Sequence, residues 1–141
     1  MSQVREIVHN HDLFWVEEND TVADVARRMA ELQVGAILVL DGGALRGIFS
    51  ERDLMRRVVV ERLDLEKTPV KSVMSTQLAT IDESATVEDA MEAMHSHKCR
   101  HLPVMREGRV AALLSMRDLI DHELARKTEE LRHMRAYIQN S

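Results

Sequence analysis

Apolar residues along the chain follow two kinds of spacing in turn. Val22, Val25, Ala26 and Met29 recur at intervals of three and four, which marks one face of a helix. Asp20-Thr21 just before them supplies an N-cap. The next apolar residues form a continuous run, Ala36 to Leu40, the mark of a short buried strand. Asp41-Gly42-Gly43 breaks the run as a turn, because glycine reaches positive φ without a steric penalty. Leu45 to Phe49 then returns as the second strand of a β-hairpin. Ser50 ends the hairpin, and the spacing predicts a helix from Arg52 to Val60.

The same succession recurs 65 positions later, without a gap, from Thr21/Thr86 to Met55/Ile120. Thr21-Val22-x-Asp24 matches Thr86-Val87-x-Asp89, and Gly43 matches Gly108. Ser50-x-Arg52-Asp53-Leu54 matches Ser115-x-Arg117-Asp118-Leu119. In the second copy Ser84 to Thr86 caps a helix carrying Val87, Ala90, Met91 and Met94 on one face. Its hairpin runs Leu102 to Met105, Glu107-Gly108, Val110 to Leu114, and a further helix starts near Met116. One supersecondary unit is therefore used twice. A sheet of two or three strands with helices on one face leaves its other face bare, so the two copies are expected to pack sheet to sheet. The chain divides into residues 1–65, residues 66–121 (opening with the linker Glu66-Lys67-Thr68-Pro69 and the apolar turn Val70 to Met74), and a helical tail, 122–141. Leu124, Leu131, Met134 and Ile138 lie roughly on one side of that tail, which needs an apolar surface to cover.

Composition narrows the function. With only Phe14, Trp15, Phe49 and Tyr137 as aromatics, the core must be aliphatic. The formal net charge of −5 argues against a nucleic-acid partner, which requires a basic surface. A lone cysteine, Cys99, permits no intrachain disulfide and suits a reducing compartment. No apolar run approaches the roughly 20 residues of a membrane helix, and the N-terminus has no signal-peptide pattern, so the expectation is a soluble cytoplasmic protein.

The Ser-x-x-Asp pairs are the candidate chemistry. Each stands where a strand ends and a helix begins. The helix N-terminus offers unpaired N–H groups and a partial positive charge, which favour a phosphate, and the Ser50 or Ser115 hydroxyl adds a donor. The Asp53 or Asp118 carboxylate accepts two hydrogen bonds, which suits the 2′ and 3′ hydroxyls of a ribose. The plain alternative is that each pair caps a helix and does nothing more.

The stretches Gly47 to Leu54 and Ala112 to Leu119 resemble the closing motif of cystathionine-β-synthase-type (CBS) domains. Arg100-His101-Leu102-Pro103-Val104 and Val70-x-x-Val73-Met74 resemble other parts of that family's pattern, over roughly residues 5–121. The small size and helical tail are similar to stand-alone bacterial CBS-pair proteins grouped with signal transduction. The resemblance implies an α/β (α+β) fold: two β-α-β-β-α units related by a pseudo-twofold axis, with sheets packed together, plus a C-terminal helix. It also implies a homodimer and a regulatory role, exerted through an effector protein that the sequence does not identify. The ligand would be an adenine nucleotide (AMP, ATP or NAD(H)) in clefts between the units. By analogy, the Asp53 site would draw on Ala36, Ile37, Met74, Ser75, Ala79 and Thr80, with its cation from Arg52, Arg56 or a partner chain. The Asp118 site would draw on Arg117, Arg100, His101, Leu102 and Pro103, and on His9, Phe14, Trp15 and Val16. Gly35 stands where the second copy has Arg100, so the Asp118 site is expected to prefer the phosphate-bearing ligand.

Three other readings compete. His95-x-His97-x-Cys99-x-His101 contains zinc-ligand types. The repeat, however, puts His95 and His97 at a helix end and Cys99 opposite apolar Val34, so no metal site is expected. An enzyme is not expected either: no nucleophile–base spacing, Walker loop or dinucleotide glycine fingerprint is present. A pure interaction module would use Met29, Met91, Met94 and the tail, although methionine more commonly fills a core.

Overall fold

A computed structural model describes residues 2–140, leaving the first and last positions of the expected segments outside the described residues. Its elements run α1 (Val4–Val8), β1 (Trp15–Glu17), α2 (Val22–Leu32), β2 (Ala36–Asp41) and β3 (Ala44–Ser50), then a short α3 (Glu51–Asp53). A 3-10 turn at Val70–Ser72 leads to β4 (Ile81–Asp82), α4 (Val87–His97), β5 (His101–Arg106), β6 (Arg109–Ser115) and α5 (Met116–Gln139). Each unit holds a three-stranded sheet, β1-β2-β3 or β4-β5-β6. Within each sheet the first pair is parallel and the hairpin antiparallel.

The repeat reaches down to details. Thr21 and Thr86 each accept a bond from the N–H three residues on, at Asp24 and Asp89, so both helices start where the caps predict. Both helices end in a left-handed residue, Gln33 and Lys98. Both hairpins slip register at matching points, leaving Arg46 and Ala111 as the extra residues. Three apolar clusters result. Ile37, Val39 and Phe49 pack under α2, while Leu102, Val104 and Leu114 pack under α4. The alternate residues Ala36, Leu38, Leu40 and Ile48 meet Val110 and Leu113 between the two sheets. Side chains alternate across a strand, which is why β2 is buried on both faces and reads as a continuous apolar run.

Each unit is completed by the segment that precedes the other. Val4 and Val8 of α1 pack in the core of the second unit, and the Val4 N–H bonds Ala85 O. Val70, Val73 and Met74 pack in the core of the first, where the Val22 N–H bonds Thr68 O.

One expectation is corrected. The helix after Ser50 is not regular from Arg52 to Val60: three residues of α3 run into a π-helical stretch, Leu54–Val59, in which Val60 N–H bonds Met55 O. The helix expected near Met116 and the expected helical tail form one element, α5, which runs unbroken from the Ser115 cap. Leu124, Leu131 and Met134 are exposed along it.

Candidate functional site

Each strand β3 and β6 delivers a serine to the start of a helix, and there the Ser-x-x-Asp pairs act as reciprocal caps. Ser50 Oγ accepts the Asp53 N–H, while Asp53 Oδ2 accepts the Ser50 N–H at 3.0 Å. Ser115 and Asp118 repeat this, with the Ser115 N–H 2.8 Å from Asp118 Oδ2. Beyond the cap the two aspartates differ. Asp53 is 7% exposed. Its Oδ1 accepts a bond from Ser75 Oγ at 3.1 Å and lies 3.7 Å from the Arg57 guanidinium, which also donates to Met74 O. Asp118 keeps a quarter of its side chain open, and its Oδ1 pairs with His11 Nε2 at 3.3 Å. One carboxylate is therefore saturated by its own chain, and the other could exchange a histidine for a ligand hydroxyl.

Beside each aspartate a cavity opens between the units, about 400 Å³ at Asp53 and 380 Å³ at Asp118, within the range of ligand pockets. Both walls are built crosswise. Next to Ser50, Arg52 and Asp53, the first cleft is lined by Ser75, Gln77 and Ala79 and by the end of α4 with the residues after it, His97 to His101. Next to Ser115, Arg117 and Asp118, the second is lined by His11, Asp12 and Phe14 and by the end of α2 with the residues after it, Gln33 to Ala36.

This arrangement corrects the expected grouping. Arg100 lines the Asp53 cleft, and Ala36 lines the Asp118 cleft, the reverse of the assignment by analogy. For Ala36, alternation along β2 is the reason. Ala36 is turned to the inter-sheet side, toward the other unit's cleft, whereas Ile37 is turned back under α2. Ser75, Ala79 and Phe14 fall in the clefts expected of them, and His101 lines both. Ile37, Leu102, Pro103 and Val16 are buried, and Met74 packs in the first core. These five residues line neither cleft, and nor do exposed Thr80, half-exposed Trp15 or His9, whose ring bonds Glu6 O. Gln77, Lys98, Cys99 and Gln33 were missed, although the 65-residue offset pairs Lys98 with Gln33 and Arg100 with Gly35.

His101 is the shared wall. Burial pushes its pKa below the ordinary value, Arg100 pushes the same way, and Asp118 and Glu51 oppose them. Burial likewise raises the Cys99 thiol. Of the other histidines in the zinc-like run, His97 lines the Asp53 cleft with Cys99 and His101 but its ring bonds Ala93 O, and His95 is exposed on α4. Among the described residues no group of three or more His, Cys, Asp or Glu side chains is placed to hold a metal ion. Among them, too, no helix is long and apolar enough to cross a membrane.

Two sheets joined face to face, with a cleft at each Ser-capped helix start, define a tandem-repeat protein with paired inter-unit sites. The chain belongs to the CBS-domain family, whose model matches residues 4–60 and again 70–125. It is 32% identical over 130 residues to the mitochondrial CBS domain-containing protein CBSX3 of Arabidopsis thaliana. That match covers 89% of this chain but 63% of CBSX3, so the chain spans less than two thirds of that relative. It spans about a fifth of CBSCBSPB5, also from Arabidopsis thaliana. Among solved structures, a CBS-domain protein from Burkholderia ambifaria MC40-6 superposes with a TM-score of 0.84 at 32% identity, covering 88% of this chain and 95% of that one. Two more distant structures share the fold. CBSX2 in complex with AMP has a TM-score of 0.75 at 22% identity, covering 90% of this chain and 99% of that one. Hypoxic Response Protein I with two coordinated zinc ions has a TM-score of 0.74 at 24% identity, covering 86% and 99%.

Proposed function

We propose that this CBS pair is a non-catalytic regulatory sensor that binds an adenine nucleotide (AMP, ATP or NAD(H)) between its two units. The observation that carries the reading is the pair of cavities of near-equal size, each at a serine-capped helix start with a carboxylate on its wall. Cations at the cleft walls suit phosphate, a carboxylate suits ribose hydroxyls, and apolar walls such as Phe14, Val34 and Leu113 suit a base. The AMP held by CBSX2 is consistent with this use of the fold. Calorimetric titration with AMP, ATP and NAD tests it: micromolar-range binding, roughly, is expected, and no heat with any of the three refutes the reading. Incubating ATP or NAD with the protein and analysing products separates binding from turnover.

The signal passes to an effector protein in a cytoplasmic setting, and the pair works as a homodimer. Support for the dimer comes from exposed apolar residues at repeat-equivalent places, Met55 with Ile120 and Val59 with Leu124. Sedimentation with and without nucleotide tests association and its coupling to ligand; a monomer at every concentration refutes the dimer.

A further inference from the structure

The two clefts match in size but not in charge. The Asp53 cleft gathers Arg52, Lys98 and Arg100. None of the three takes part in an ion pair among the described residues. Of the two carboxylates on that wall, Asp53 is already matched by Arg57, Ser50 and Ser75. Glu51 N–H donates to Gly35 O, and its carboxylate lies near Gly35, where it offsets one of the three cations and leaves the cleft net positive. Among the described residues the Asp118 cleft has Arg117 as its one permanent cation, against Asp12 and Asp118, with His11 lying on Asp118.

Resting on the reading of these cavities as nucleotide sites, we propose that the clefts divide ligands by charge. The Asp53 cleft takes the ligand that carries phosphate, and the Asp118 cleft excludes polyanions. Three cations against the one unmatched carboxylate, Glu51, leave a net positive cavity, and a phosphate group relieves the remaining repulsion. A phosphate entering the other cleft meets Asp12 and Asp118 with only Arg117 to offset them. The difference traces to the repeat: at the positions of Lys98 and Arg100, the first copy carries uncharged Gln33 and Gly35. Because the walls are built crosswise, the cations of the second unit serve the aspartate of the first.

The chain carries its own reporter. Its single cysteine, Cys99, lines the Asp53 cleft and not the other. The test measures Cys99 alkylation by iodoacetamide against inorganic pyrophosphate, at alkaline pH because burial raises the thiol. Pyrophosphate is expected to protect Cys99. In a Lys98→Ala/Arg100→Ala variant half-protection should need at least about tenfold more of it. Each variant is scored as its own protected-to-unprotected ratio, so a change in intrinsic thiol reactivity drops out. Arg27→Ala, which removes a distant exposed cation paired with Asp24, should shift half-protection less than about twofold. Two results overturn the proposal: pyrophosphate binds calorimetrically but leaves Cys99 unprotected, or its binding is weakened by Arg117→Ala and not by the Lys98/Arg100 pair. Pyrophosphate has no adenosine, so the two readings fail separately. Protection by pyrophosphate with no extra affinity for ATP counts against the adenine reading alone. ATP binding that never protects Cys99 counts against the charge division alone.

Discussion

Gly47 lies in the middle of β3 with the linker segment pressed against it. A methyl group there would sit 2.7 Å from Met74 Sδ and 2.8 Å from the carbonyl oxygen of Ser75. The sulfur can swing aside; the backbone oxygen cannot move alone. The Ser75 carbonyl accepts the Ile48 N–H at 3.0 Å, and the Ser75 N–H donates to Ile48 O at 2.9 Å, so linker and strand are bridged at this point. Gly47→Ala must therefore push the linker away by roughly half an ångström or more to restore ordinary contact. Overpacking costs about 1–3 kcal/mol, and loosening the bridge removes up to about 1 kcal/mol per hydrogen bond. Replacing a strand glycine returns about 0.5–1 kcal/mol. The net expectation is destabilisation of about 2–3 kcal/mol, or a melting temperature lower by about 5–10 °C. Urea denaturation with unchanged slope and a lower midpoint is the assay. Ser75 also holds Asp53 through its hydroxyl, so the cleft should loosen with the linker. The equivalent position in the second unit already holds an alanine, Ala112, and no isolated strand bridge crosses it there among the described residues. A Gly47→Ala protein within about 0.5 kcal/mol of the parent would refute the steric reasoning.

Asp53→Asn should cost about 1–3 kcal/mol in thermal or urea unfolding, since it leaves buried donors poorly matched. Asp118→Asn should cost under about 1 kcal/mol and act mainly on ligand affinity in calorimetry; equal losses of stability would count against the asymmetry. Thr86→Ala should destabilise by about 1 kcal/mol in urea denaturation, by removing the acceptor for the Asp89 N–H. His101 carries a pH signature. Its folded pKa lies below the ordinary 6.5, so the unfolded chain binds a proton that the folded chain resists. Stability should be full above about 6.5 and fall as pH drops from there toward the lowered folded value. His101→Gln should flatten that limb in unfolding curves taken across the range, and an unchanged slope would show that His101 is not its source.

The local structure was legible in the sequence because it depends on spacing. Helix faces, caps at Thr21 and Thr86, hairpin turns and the repeat itself are set by residues within a few positions of one another, and the structure carries them as read except at Met91, expected on the apolar face of α4 but exposed. The Ser-x-x-Asp pairs were visible for the same reason. What surrounds each pair was not. Which cleft Arg100 and Ala36 enter depends on how one sheet faces the other, and the 65-residue offset gives the equivalence of positions but not their crossing. Asp53 and Asp118 share the Ser-x-x-Asp motif and differ through Arg57, which pairs with Asp53 where the second copy has His122, and through distant partners, Ser75 in the linker against His11 after α1. The sequence alone therefore determined a doubled unit with two serine-capped helix starts. Only the tertiary structure decided that each cleft is walled by the opposite unit, because side-chain alternation in a sheet points every second residue across the interface.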